Sequence, residues 1–120
     1  MYEIAIEDSF DAAHCLRNYQ GNCQRLHGHT YKVVVRFHAG SLDDMGMAID
    51  FRKAKSMLKS IIDYMDHRYI NELPEFSIQN PTAENIAKFF FDRIASESEM
   101  VHSVSVWETP TSCATYVREE

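Results

Sequence analysis

Cysteine is scarce and odd in number: Cys15, Cys23 and Cys113 are the only three in 120 residues. Three thiols cannot staple a disulfide scaffold, so they read as free thiols or metal ligands in a reducing compartment. Basic charge is also in short supply. Twelve Lys and Arg stand against eighteen Asp and Glu, a formal net charge of −6. That balance argues against a nucleic-acid surface, which needs a clustered basic face, but leaves room for an anionic small molecule. No apolar run is long enough to span a bilayer, and the opening MYEIAIEDSF is acidic and lacks the apolar core of a signal peptide. The expected setting is the cytoplasm, with neither nucleic acid nor membrane as partner. Repeats, low-complexity tracts and linkers are missing as well, so residues 1–120 are read as one domain. A hydrophobic content of 45% with 25% charged residues then places the chain among ordinary soluble globular proteins.

Periodicity supplies the elements. YEIAI alternates polar and apolar residues and predicts a short first strand. TYKVVVRFHA predicts a second, with Tyr31, Val33, Val35 and Phe37 on one face and Lys32, Arg36 and His38 interrupting the other. GSLDDMG is a turn-rich connection. Asp50 suits the N-cap of a helix over FRKAKSMLKSIIDYM, whose Phe51, Ala54, Leu58, Ile61, Ile62 and Met65 recur at helical spacing. NELPEFSIQNP breaks that pattern. A second helix starts near Pro81 and Thr82, with Ile86, Phe89, Phe90 and Ile94 as its apolar stripe. HSVSVWE and SCATYVRE alternate and form a hairpin across Thr109, Pro110 and Thr111. The order β-β-α-α-β-β predicts an α+β domain: a four-stranded antiparallel sheet with both helices on one face. Such a sheet has two edges to protect or to use in assembly.

The chemistry gathers around CQRLHGH, residues 23–29, where a thiol precedes two histidines that bracket a glycine. In an extended chain, residues two apart share a side, roughly 6–7 Å from one another. His27 and His29 therefore present imidazoles to one point. His14, in FDAAH at the end of the first strand segment, is the candidate third ligand, and three histidines with one open position is the arrangement of a catalytic zinc site. A rival set, C-x7-C-x3-H-x-H, closes a tetrahedron with Cys15, Cys23, His27 and His29, but lacks the short cysteine pair of a zinc finger. A cupin would place an acid a few residues after H-x-H, and TYKVVV has none. A solvated loop pair is the reading without a metal. Spacing ranks the three-histidine set first and leaves the others standing.

DYMDHRY sets Asp66 beside His67 at the end of the first helix. An acid there orients the ring, and such a histidine can draw a proton from a nearby thiol. A histidine at a helix C-terminus also suits the dipole without doing any chemistry. Glu108, in VWETPT, is placed either to accept hydrogen bonds from a planar heterocycle or simply to meet solvent.

FDAAH, CQRLHGHTY, AIDF, MDHRYIN, PTAEN and VWET, in this order and nearly end to end, resemble the 6-pyruvoyl tetrahydropterin synthase family, which includes the bacterial 6-carboxytetrahydropterin synthases. The resemblance implies the tunnelling fold (T-fold), in which trimers of the β-β-α-α-β-β unit close their sheets into a barrel. Two trimers usually stack into a homo-hexamer with active sites between subunits. It implies Zn2+ held by His14, His27 and His29, with Cys23 as general base. Asp66 and His67 would be the dyad that activates Cys23, reaching in from a neighbouring subunit. Glu108 would anchor the pterin ring. Thr82 matches one of two adjacent threonines near the pterin in animal members; the second is Ala83 here, and Thr82 also serves as a helix N-cap. The implied substrate is 7,8-dihydroneopterin triphosphate, whose side-chain hydroxyls zinc would polarise while Cys23 removes a side-chain proton. Bacterial-type enzymes release acetaldehyde and triphosphate and give 6-carboxy-5,6,7,8-tetrahydropterin for the queuosine route. Animal-type enzymes stop at 6-pyruvoyl tetrahydropterin. The compact chain and the single threonine of PTAEN favour the carboxy product. Arg17, Arg25 and Arg68 flank the motifs as candidate cations for the triphosphate. The competing class is a non-enzymatic, zinc-stabilised module.

Overall fold

A computed structural model describes residues 1–18 and 25–120. Strand β1 (Tyr2–His14) and strand β2 (His27–Ala39) pair antiparallel along their full length, with Tyr2 opposite Ala39 and His14 opposite His27. The first strand is longer than YEIAI suggests. Ile6, Phe10, Ala12 and His14 are all buried, so the period of two survives the polar stretch EDS and carries the strand to His14.

Helix α1 (Phe51–Met65) begins where Asp50 accepts the Arg52 N–H. It buries Ala54, Met57, Leu58, Ile61, Ile62 and Met65. Phe51, which the spacing puts on this stripe, is 57% exposed. It is the first helical residue, and the buried stripe starts three positions later. Helix α2 (Ala83–Ala95) begins at Thr82, whose hydroxyl accepts the Asn85 N–H at 3.1 Å. Its Ile86, Phe89, Phe90 and Ile94 are buried as their spacing predicts, together with Ala87 and Phe91.

The sheet is not the four-stranded antiparallel one expected. It is mixed and five-stranded, in the order β3-β1-β2-β4-β5. Strand β4 (Val101–Thr109) and strand β5 (Ser112–Val117) form the expected hairpin. The addition is β3 (Arg68–Tyr69), parallel to β1 with Ala12 opposite Arg68. Two residues are too few to display a period of two, so no sequence pattern announces this strand. Its placement comes from backbone chemistry at the end of α1. Asp66 closes the helix by donating its N–H to the Ile62 carbonyl; His67 then adopts a left-handed φ of 57° and donates its N–H to the Asp11 carbonyl at 2.6 Å. Two short 3₁₀ turns, Ile70–Glu72 and Pro74–Phe76, fill the segment that breaks the helical pattern.

Both helices cover one face of the sheet. Tyr31, Val33, Val35 and Phe37 point into that interface and are fully buried. Below the histidine end of β1 and β2, Phe10 stacks on Tyr31 (centroids 4.9 Å) and on Phe90 (5.8 Å). That stack ties β1, β2 and α2 together, and truncating such a buried phenylalanine typically costs about 3–5 kcal/mol. The opposite face carries Thr30, Lys32, Arg36 and Trp107. Among the described residues, the outer edge of β5 and the outer edge of β1 from Tyr2 to Asp11 pair with no other strand. No helix of the described residues is long and apolar enough to cross a membrane.

Candidate metal centre and a neighbouring acid–histidine cluster

Register brings the three predicted histidines together. His14 ends β1 directly opposite His27, and His29 lies opposite Ala12, two residues along. His14 is almost fully buried, and its Nδ1–H donates to the Pro81 carbonyl at 2.8 Å, so the residue just before the α2 cap fixes its ring. The Nδ1–H of His27 donates to the Arg25 carbonyl at 2.7 Å. With Nδ1 engaged as donor on both rings, each neutral imidazole keeps its lone pair on Nε2. Those two nitrogens face each other at 3.0 Å. Glu108, near the end of β4, adds an oxygen 3.0 Å from His14 Nε2 and 3.2 Å from His29 Nε2. His29 Nε2 is sealed from solvent without a well-aligned hydrogen-bond partner among the described residues. Acceptor facing acceptor is repulsive unless a cation, proton or metal, sits between them. His14, His27, His29 and Glu108 thus form a group able to hold a metal ion, their ligand atoms all within 4.8 Å of one another.

The electrostatics agree with this chemistry. Burial, more than any other influence, holds the His29 imidazole below its ordinary pKa, and the nearby His14 and His27 add to it while Glu108 opposes. A neutral imidazole is the ligating form. The hydrogen bond with His14 is the largest influence holding the Glu108 carboxyl below its usual range, so this side chain stays ionised. Tyr31 lies beneath the group, its ring 5.5 Å from that of His29 and 5.9 Å from that of His14. Its hydroxyl is buried without a partner among the described residues, and burial with the Glu108 charge pushes its pKa up.

The rival thiol set finds no support at Cys15, which stands outside the histidine group. Its Sγ contacts the Tyr69 hydroxyl at 3.1 Å, and its N–H donates to Asn71 Oδ1. Cys23 lies outside the described residues. Thr82 shares a cavity of about 440 Å³ with His14 and Glu108, so the two residues expected to hold a heterocycle do face one space. Its hydroxyl is already engaged as the α2 cap. Arg17 is taken up by the fold: its guanidinium donates to the carbonyls of Asn71, Phe76 and Gln79.

Asp66 and His67 form a separate cluster. His67 Nδ1 lies 2.9 Å from Asp66 Oδ2, and Asp66 Oδ1 accepts the Asp11 N–H at 2.9 Å. That backbone hydrogen bond, then the one with His67, holds the Asp66 carboxyl below its ordinary range. Asp11 is the member that sequence reasoning missed. Its carboxylate accepts the Thr30 hydroxyl, and it lies with Asp66 and His67 in one potential ligand group. The left-handed backbone of His67 fits such a site, since residues held in this region concentrate where geometry serves function. A cavity of about 580 Å³ bordered by Asp11, His29, Thr30, His67 and Tyr69 adjoins this cluster.

A helix-covered sheet with three imidazoles and a carboxylate converging at the ends of its strands defines a small α+β domain built around a metal-type site. The chain belongs to the 6-pyruvoyl tetrahydropterin synthase family, whose family model matches residues 3–119. It is 39% identical to a 6-carboxy-5,6,7,8-tetrahydropterin synthase of Haemophilus influenzae, covering 97% of this chain and 99% of the relative. A protein of the same name from Synechocystis is 36% identical over 97% and 93% of the two chains. Among solved structures, the Caenorhabditis elegans 6-pyruvoyl tetrahydropterin synthase superposes with a TM-score of 0.87 at 29% identity, covering 99% of this chain and 98% of the other.

Proposed function

We propose that this chain converts 7,8-dihydroneopterin triphosphate to 6-carboxy-5,6,7,8-tetrahydropterin, releasing acetaldehyde and triphosphate, with zinc held by His14, His27 and His29. The observation that carries the metal part is the convergence of three imidazole Nε2 atoms, two of them aimed by backbone carbonyls. Three neutral imidazoles with a position left open suit zinc. The choice of product rests on the names of the relatives from Haemophilus influenzae and Synechocystis. A second reading, formation of 6-pyruvoyl tetrahydropterin, has the likeness to the Caenorhabditis elegans enzyme behind it.

Each residue then has a task. Bound zinc would supply Lewis acidity to the substrate's side-chain hydroxyls. Cys23, as thiolate, takes a side-chain proton. Asp66 fixes the tautomer and orientation of His67 through Nδ1, leaving the other ring nitrogen to exchange a proton with that thiol. Glu108, ionised and bordering the cavity it shares with Thr82, accepts from the amino and ring N–H groups of the pterin. With a cation held by the histidine nitrogens, the Glu108 carboxylate would be free for that purpose. In the assembly we propose, three subunits close their sheets into a barrel and two such trimers stack in the cytoplasm. The unpaired edges of β1 and β5 support this, because closure is the one arrangement that removes them. The test is incubation of the zinc-loaded protein with 7,8-dihydroneopterin triphosphate and mass analysis of the product. The carboxy compound with acetaldehyde is the expected outcome. The pyruvoyl compound would favour the second reading, and unchanged substrate would refute both.

A further inference from the structure

We propose that the cleft lined by Lys32 of β2 and Trp107 of β4 is the oligophosphate subsite of this enzyme, with Lys32 as the counter-charge. The inference presupposes the substrate proposed above and deepens it. Glu108 borders two cavities. One, with His14 and Thr82, is the space assigned to the heterocycle. The other, about 500 Å³, is bordered by His29, Thr30, Lys32, Trp107, Glu108 and Pro110, where Thr30, Lys32 and Trp107 belong to the helix-free face of the sheet. A substrate with its ring in the first cavity and its side chain at the histidines sends its phosphates out on the far side, toward the second.

A cation stands over this cleft. Lys32 and Trp107 are directly opposite in the β2–β4 register, and the Lys32 ammonium sits 5.1 Å from the indole centroid. The indole holds the ammonium over the cleft, but such an attraction is weak at an exposed site. A phosphate oxygen offers a charge-assisted hydrogen bond, roughly twice as strong as a neutral one. Two of the three arginines that flank the motifs are otherwise placed. Arg17 is committed to three backbone carbonyls. Arg68 sits over the Tyr64 ring and borders the cavity beside Asp11 and His67, the space of the acid–histidine cluster.

Trp107 is the only tryptophan in the sequence, so its emission reports on this cleft alone. The experiment titrates the zinc-loaded protein with inorganic tripolyphosphate and follows that emission in wild type, Lys32→Met and Lys32→Arg. The expected result is a saturable change whose midpoint rises roughly tenfold in Lys32→Met, the loss of one charge-assisted contact, and stays within about threefold in Lys32→Arg. Withdrawal of metal by tripolyphosphate would act alike in all three proteins, so the difference isolates Lys32. Equal midpoints in wild type and Lys32→Met overturn the proposal, as does the same response to sulfate at matched ionic strength. Turnover separates the two claims. Lys32-dependent binding without turnover of the triphosphate substrate upholds the subsite and sinks the substrate. Turnover with an unchanged KM in Lys32→Met does the reverse.

Discussion

Replacing Glu108 by Gln separates its two possible duties, holding the histidine group together and holding a substrate. Its Oε1 lies 3.0 Å from His14 Nε2 and 3.2 Å from His29 Nε2. With a proton in place of the metal between these atoms, hydrogen bonds to a charged group contribute about 1.5–3 kcal/mol. The side chain is 32% exposed, and solvent screening trims that to about 1 kcal/mol. For a domain of this size the loss lowers Tm by roughly 4 °C. The pH dependence has a definite sign. The folded-state pKa of Glu108 is depressed, so its contribution is fully present above the unfolded value of about 4.3 and fades as pH falls through the lower folded value. Thermal unfolding of metal-free wild type and Glu108→Gln, at one fixed concentration, should differ at pH 7 and converge toward pH 3.5. In zinc-loaded protein the gap should narrow while metal content stays near one per chain and pterin binding weakens by about tenfold or more. A gap of equal size at both pH values would refute the electrostatic account. Loss of zinc from Glu108→Gln would make this carboxylate a ligand and displace it from the pterin.

Further outcomes follow from the same geometry. His27→Ala and His29→Ala should lose zinc, while Cys23→Ala should keep about one zinc per chain and lose turnover; metal analysis showing Cys23→Ala empty of zinc would revive the thiol set. His67→Ala should slow alkylation of Cys23 at neutral pH, and unchanged kinetics would remove His67 from the role of activating base. Tyr31→Phe deletes a buried hydroxyl that has no hydrogen-bond partner among the described residues. Its stability in urea should match wild type or exceed it by about 1 kcal/mol, and a clear loss would reveal an unseen partner for that hydroxyl. Active protein should sediment as a trimer or a multiple of three, and mixing Cys23→Ala with His67→Ala under subunit exchange should partly restore activity; proven exchange without recovery would place both residues of a working site in one chain.

Much of the fold was legible because its elements carry strong local periods. Tyr31, Val33, Val35 and Phe37 alternate without a break, and all four are fully buried. Asp50 and Thr82 cap the helices where side-chain chemistry predicts. The failures fall where period gives no information. Arg68–Tyr69 is held by its neighbour's backbone, not by side-chain alternation, so the sheet gained a parallel strand that no pattern foretold. Phe51 obeys helical spacing yet sits outside the core, because the first turn of α1 precedes the packed stripe.

The site follows the same division between local and long-range information. H-x-H on a strand fixes two imidazoles on one side by geometry alone. The third needed topology: His14 joins them because β1 and β2 pair in full register, which the spacing between the two motifs does not encode. Glu108 was legible as a carboxylate near a turn, but not as a neighbour of the histidines, since 79 positions of chain separate it from His29 and only the β2–β4 ladder closes that gap. Asp11 escaped notice inside FDAAH for a related reason. Its contribution to the Asp66–His67 pair runs mainly through backbone, its N–H holding Asp66 and its carbonyl holding His67. Any residue but proline offers those two groups, so no side-chain pattern could have named this position. What the side chain adds is the tie to Thr30, which couples the cluster to β2, the strand that also carries His27 and His29. The metal-type group and the acid–histidine cluster are therefore built on one β1–β2 ribbon, and a shift in its register would misplace both.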